Sequence, residues 1–187
     1  MKMDSIAGLV LIVGTAFVYV GFSVFPSRIY TATDIDLKVK LIDMHSGRWT
    51  ISQTLVILGS TASIMGLALV TSWLQGTAGA TLALVGLIAV TIGGVLWNWH
   101  LVIRIRNAQG FARGELLFWP FLIYSILTPA GLAAYGVAFW VDAANPFFGA
   151  GLLAVALTVL GLEAILKDMP PFVHYAMTLA IGLVLFL

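Results

Sequence analysis

Three histidines and one glutamate are the residues of this chain most suited to chemistry. His45 precedes an apolar run in "IDMHSGRW", His100 ends another in "WNWHLVIRIR", and His174 begins the last in "PPFVHYAM". Histidine is a common ligand of metal ions and of haem iron. Glu163 lies four residues before Lys167, which is the favourable order for an ion pair on one helix. These four residues are therefore the candidates for a functional site.

The four residues are compatible with more than one kind of site. His100 and His174, on two helices at equal depth, are candidate ligands of one haem. His45, His100, His174 and Glu163 together are candidate ligands of a metal ion. The same side chains also suit acid–base chemistry, or a structural role as interfacial histidines beside a Glu163–Lys167 pair. We expect at least His100 and His174, with Glu163 nearby, to line one cytoplasm-facing pocket.

The composition indicates which solvent surrounds these residues. The chain has 187 residues, of which 61% are hydrophobic and 9% are charged, whereas a soluble domain carries about 25% charged residues. The excess of apolar side chains indicates lipid as the natural solvent. A spanning helix needs ~20 apolar residues, so the chain is expected to form one transmembrane domain over residues 1–187 with at most about seven spans.

Several classes of chemistry lose support from the sequence. The chain has no cysteine, which excludes disulfides, thiolate metal sites and iron–sulfur clusters. It has no HExxH, GxSxG or P-loop motif, and no lysine inside an apolar run that could bind retinal. The net charge of +1 gives no reason to expect nucleic acid as a partner.

Six apolar runs predict an all-α bundle. Because lipid offers no hydrogen bonds, each span must satisfy its own backbone, and helices do so. Three of the links are short, which predicts antiparallel neighbours. The expected spans cover about residues 5–25, 50–73, 77–100, 116–141, 146–166 and 170–187.

Basic residues predict the orientation of the bundle. Eight lie in links that six spans place on one side, against one on the other, and basic links favour the cytoplasm. Both termini are therefore expected on the non-cytoplasmic side. The eight are Arg28, Lys38, Lys40, Arg48, Arg104, Arg106, Arg113 and Lys167, and the ninth is Lys2.

Aromatic and small residues add detail to this picture. All six tryptophans fall at predicted span ends, where an interfacial belt is expected. Glycines recur every seven residues, as at Gly86 and Gly93, which predicts a face that packs closely on another helix. The link "TATDIDLKVKLIDMHSGRW" mixes apolar and charged residues. It is expected to be a partly helical interfacial segment, acting as a lid or as a solvated link.

The sequence favours a non-catalytic function. We expect a multi-pass protein of the cell membrane that is an accessory subunit of a membrane complex or binds an apolar small molecule. The alternatives are a redox subunit with His-ligated haem or metal, and a small enzyme acting on a lipid-like substrate. Ion-coupled transport has least support, since the middles of the spans carry no acid or base. The expected partners are the lipid bilayer and other membrane subunits or a second copy.

The predicted orientation is testable by cysteine labelling, because the native chain has no cysteine. In intact cells, a cysteine introduced near Gly76 should react with an impermeant reagent, because this link is expected outside. A cysteine near Gly110 should react only after the cells are opened. Labelling of the second position from outside would contradict the orientation.

Overall fold

The computed structural model describes residues 2–142, 145–166 and 170–187, so Lys167 and its expected pair with Glu163 lie outside the described residues. The described part is helical without strands. Its helices, in chain order, are α1 Met3–Val24, α2 Arg28–Thr31, α3 Ile35–Met44, α4 Ser46–Trp73, α5 Ala80–Arg106, α6 Ala108–Ala112, α7 Trp119–Val141, α8 Pro146–Leu166 and α9 Phe172–Phe186.

Five of the described helices are long and apolar enough to cross a membrane, namely α1, α4, α5, α7 and α8. The sixth expected span corresponds to α9, which is apolar but has only 15 residues. At 1.5 Å per residue it is about 22 Å long, shorter than the ~30 Å of a typical bilayer core. The structure thus supports an all-helical chain with several apolar helices, as in a multi-pass membrane protein.

The helices α4 and α5 are longer than the sequence indicated. Helix α4 begins at Ser46 rather than near residue 50, and α5 continues to Arg106 instead of ending at His100. No glycine or proline interrupts "LVIRIR", so the helix runs on until Asn107. The Asn107 side chain then caps α6 by accepting a hydrogen bond from the Gly110 N–H. Arg104 is consequently a helical residue that projects from α5.

The link between α1 and α4 is mostly helical, as expected. Asp34 starts α3 because its carboxylate accepts hydrogen bonds from the backbone N–H groups of Asp36 and Leu37. Ile42 is buried, while most other side chains of α3 are partly or fully exposed. Helix α3 contacts α6 and, less closely, α2 and α4. These short helices cover one end of the bundle.

Glycines set the distance between the long helices. A Cβ placed on Gly86 of α5 would lie 2.7 Å from the Gly131 carbonyl oxygen of α7, and one on Gly14 of α1 would lie 2.9 Å from the Gly59 carbonyl oxygen of α4. Real Cβ atoms do not approach so closely. The expectation that Gly86 and Gly93 face another helix is confirmed, since both are buried against α7.

The closest contacts place the long helices in the spatial order α9, α1, α4, α5, α7, α8. The most extensive pairings are α1 with α4 and α5 with α7. Helix α9 packs mainly on α1, and it touches α7 and α8 at few points. The bundle is therefore loosest between α9 and the helices α7 and α8.

The glycine crossings predict opposite effects for two matched substitutions. Gly86→Ala should lower the free energy of unfolding by about 1–3 kcal/mol, because the added methyl overpacks the crossing with Gly131. Gly151→Ala should be neutral or stabilising, because a Cβ there meets nothing within 4 Å. Thermal unfolding in detergent measures both. Equal stability of the two variants would contradict the close contact of α5 and α7 at Gly86 and Gly131.

Candidate functional site

A cavity of about 560 Å³ lies at the end of the bundle covered by α2, α3 and α6. We call it the chamber. Its walls come from the ends of α1, α5, α7 and α9 and from the short helices above them. The described residues that line it are Phe22, Ser27, Ile29, Tyr30, Thr31, Lys38, Trp97, Arg104, Phe111, Phe118, Phe121, Pro170, Pro171 and Phe172.

Two hydrogen bonds join the long helices beneath the cover, which is formed by α2, α3 and α6, and a ring contact attaches the cover to them. The Trp49 indole N–H donates to the Arg104 carbonyl oxygen at 3.0 Å, which joins the start of α4 to the end of α5. The Arg48 Nε donates to the Val24 carbonyl oxygen at 2.9 Å and so fixes the end of α1. Trp49 also packs on Phe111 with the ring centroids 5.0 Å apart, which holds α6 in place.

Few polar groups face the chamber. The Arg104 guanidinium lies over two aromatic rings, 4.5 Å from the centroid of Phe111 and 5.1 Å from that of Trp97, which suits a cation–π contact. Lys38 reaches the chamber from α3. Among the described lining residues Lys38 and Arg104 are positively charged and none is a carboxylate.

Tyr30 gives the chamber a neutral hydroxyl group. Its hydroxyl accepts a hydrogen bond from the Gln53 amide at 3.5 Å. Burial raises the pKa of the Tyr30 phenol above its usual 10.0, while the Arg104 charge and the Gln53 bond act in the opposite direction. The phenol therefore stays protonated at neutral pH, and its hydroxyl can donate and accept hydrogen bonds.

The structure places His100 and His174 at the two ends of a row of aromatic rings. His100 stacks on Trp97 with centroids 6.1 Å apart, and Trp97 stacks on Tyr124 at 5.0 Å. Tyr124 then meets the edge of His174 at 5.2 Å. Both histidines are buried, with 4% and 1% of their surface exposed. Two rings thus separate the side chains that were expected to share one haem, and the haem site stays a prediction.

His45 and Glu163 lie apart from this row. His45 is half-buried at the junction of α3 and α4, with its ring edge-on to Phe25 at 6.4 Å. Glu163 is buried and accepts a hydrogen bond from the Ser125 hydroxyl at 2.7 Å. Among the described residues no three His, Cys, Asp or Glu side chains come close enough to hold a metal ion. The four expected ligands are not brought together, and the metal site also stays a prediction.

A second, smaller cavity lies deeper in the bundle, between α4, α5, α7 and α9. Its volume is about 20 Å³, and we call it the inner cavity. Of the histidines, His174 lines it, whereas His100 lines neither cavity. Its lining surface is mainly apolar, although residues that carry hydroxyl groups contribute to it from all but one of these helices. The described lining residues are Ser60, Ser63, Ile64, Leu67, Val90, Gly94, Tyr124, Thr128, Leu132, His174, Tyr175 and Thr178.

The sequence did not indicate the chamber, and one of its aromatic lining residues was assigned elsewhere. Trp97 was expected in an interfacial belt, but none of its surface is exposed and it packs against Phe121 and Tyr124. Trp49 is likewise 1% exposed. A usable signal was the spacing of Trp97 and Arg104, which are seven residues apart and therefore lie on one face of α5.

Comparisons of the chain with protein-family models, curated proteins and solved structures found no match. Any assignment of function therefore rests on the chamber and the inner cavity.

Proposed function

We propose that this protein is a multi-pass protein of the cell membrane whose chamber binds an anionic amphipathic molecule. The single observation that carries the proposal is the chamber itself. Its volume of about 560 Å³ lies in the range of ~300–1,000 Å³ of small-molecule sites, which are mostly apolar with a few polar groups. Aromatic side chains dominate its walls, and the polar groups among them are few.

The proposed topology has six spans in an antiparallel bundle, with both termini outside the cell. The sixth span is α9, which can cross by local thinning of the bilayer. Antiparallel packing of α1 and α4 is supported by the pairing of Gly14 with Gly59 and of Gly21 with Ser52. Along these contacts the residue numbers increase in α1 and decrease in α4. The basic links lie at the chamber end, so the positive-inside rule supports a chamber that faces the cytoplasm.

The polarity of the chamber suggests how the molecule would lie in it. Phe121 and Phe172 belong to the long helices and suit an apolar tail. Lys38 belongs to the cover and suits a carboxylate or phosphate head group, because the ammonium provides a charge and three donors. A fatty acid or an acidic lipid-like molecule has this arrangement of charge and hydrocarbon.

The residues that line the chamber favour a binding function over a catalytic one. None of its described lining residues is a histidine or a carboxylate, and these are the commonest acid–base groups of enzymes. Glu163 and His174 are buried elsewhere in the bundle. The proposal therefore takes the small-molecule binder expected from the sequence and adds a charged head group to it.

A fatty acid brominated on its tail tests the proposal, because bromine quenches the fluorescence of nearby tryptophan. Trp97 lines the chamber, so purified protein in detergent should show saturable quenching. Lys38→Gln should lower the affinity about tenfold to a hundredfold, as expected for loss of a hydrogen bond to a charged group. The affinity for the matching brominated alcohol should not change.

Lys40→Gln is the matched control, because Lys40 is exposed on the same helix and does not line the chamber. It should bind the fatty acid as the wild type does. Equal loss in both variants, or quenching that never saturates, would contradict the proposal. A Soret band that disappears in both His100→Ala and His174→Ala would instead favour the haem-bearing alternative.

A further inference from the structure

The inner cavity is separated from the chamber by two stacked rings. Trp97 lines the chamber, and Tyr124 lines the inner cavity on the other side of the stack. Their ring planes are 17° apart at a centroid distance of 5.0 Å, which is close parallel stacking. The inner cavity is therefore a distinct feature, and an inference about it does not depend on what the chamber binds.

Several buried polar atoms beside the inner cavity have no hydrogen-bond partner among the described residues. They are both ring nitrogens of His174, the Tyr124 hydroxyl and the Thr128 hydroxyl. The Tyr175 hydroxyl lies close to that of Tyr124 and is the protein group nearest to pairing with it, so the His174 nitrogens and the Thr128 hydroxyl are the clearest unpaired atoms. A neutral imidazole has one donor and one acceptor nitrogen, and leaving such groups unpaired in an apolar interior destabilises the protein.

Two of the neighbouring hydroxyl groups do not pair with these atoms, because their protons are already used. The Thr178 hydroxyl donates to the backbone oxygens of His174 and Tyr175, at 3.2 and 3.0 Å. The Ser63 hydroxyl donates to the Gly59 oxygen of its own helix at 2.9 Å. These two bonds leave the His174 nitrogens without a protein partner, and a molecule inside the cavity that both donates and accepts can pair with them.

The size of the inner cavity limits what that molecule is. A cavity needs about 10–15 Å³ to admit one water, which then makes two to four hydrogen bonds. The inner cavity has about 20 Å³, which is enough for one or two waters and far too little for an amphiphile. A metal ion is a poor fit, because His174 is the only nitrogen ligand among the described lining residues and no carboxylate lines the cavity.

We propose that the inner cavity is a water-binding site, in which one or two molecules bridge His174 of α9 to Tyr124 and Thr128 of α7. The bridge has a clear structural consequence. Helices α7 and α9 touch directly at few points. The bound water therefore supplies a polar connection between these helices, where the bundle is loosest. It also hydrates a histidine that is buried inside the bundle.

A double-mutant cycle tests this proposal. A hydrated cavity and a dry one predict changes of opposite sign in the stability of the protein when a polar lining group is removed. Thr128→Val keeps the shape and removes one partner of the water. If water is bound, the unfolding constant in detergent should rise about fivefold to tenfold, as for loss of one hydrogen bond. If the cavity is dry, removing an unpaired hydroxyl should leave the protein equally or more stable, which would overturn the proposal.

The second arm of the cycle is His174→Phe, with Tyr124→Phe in its place if the first variant does not fold. The combined variant should cost less than the sum of the single changes, because both remove partners of the same water. Strict additivity would overturn the bridge. Thr158→Val is the matched control, since its exposed hydroxyl donates only to Ala154 of its own helix, and it should leave the unfolding constant nearly unchanged.

Discussion

The close approach of helix backbones at paired glycines is the constraint on which the rest of the structure depends. Gly8 meets Gly182 and Gly86 meets Gly131, with backbone atoms where a side chain would otherwise stand. Toward the covered end these small residues give way to large ones, such as Trp97 on α5. The helices are close together where glycines pair, and aromatic rings hold them further apart at the covered end. The chamber lies in the space between the helices at that end.

Polar side chains inside the bundle fall into two groups. Some satisfy themselves locally or across a helix crossing, as Tyr135 does with the Leu67 oxygen at 2.9 Å and the Thr71 hydroxyl at 2.6 Å. Others have polar atoms without a partner among the described residues; some of these line the inner cavity, as His174 does, and some lie elsewhere, as Thr15 does. In an apolar medium the first group stabilises the packing, whereas the members of the second group that line the inner cavity support the proposed water site.

Periodicity in the sequence predicted the helices and one packing face, and it could do no more. The seven-residue spacing of Gly86 and Gly93 correctly indicated a helix contact, because steric exclusion there depends only on local geometry. The burial of Trp97 was missed, because a tryptophan near a span end fits an interfacial belt equally well. The chamber also depends on Lys38, which reaches it only when a link distant in sequence folds over the bundle. Contacts between segments that are distant in the sequence cannot be predicted from the spacing of residues within one segment.

The most direct measurement is an experimental structure of the protein in lipid nanodiscs at a saturating concentration of a fatty acid. An occupied chamber should contain elongated density along Phe121 and Phe172, with its polar end beside Lys38 and the glycine crossings intact. A chamber closed by Phe111 and Phe121, with no density at saturation, would contradict the central claim that this end of the bundle is a binding site.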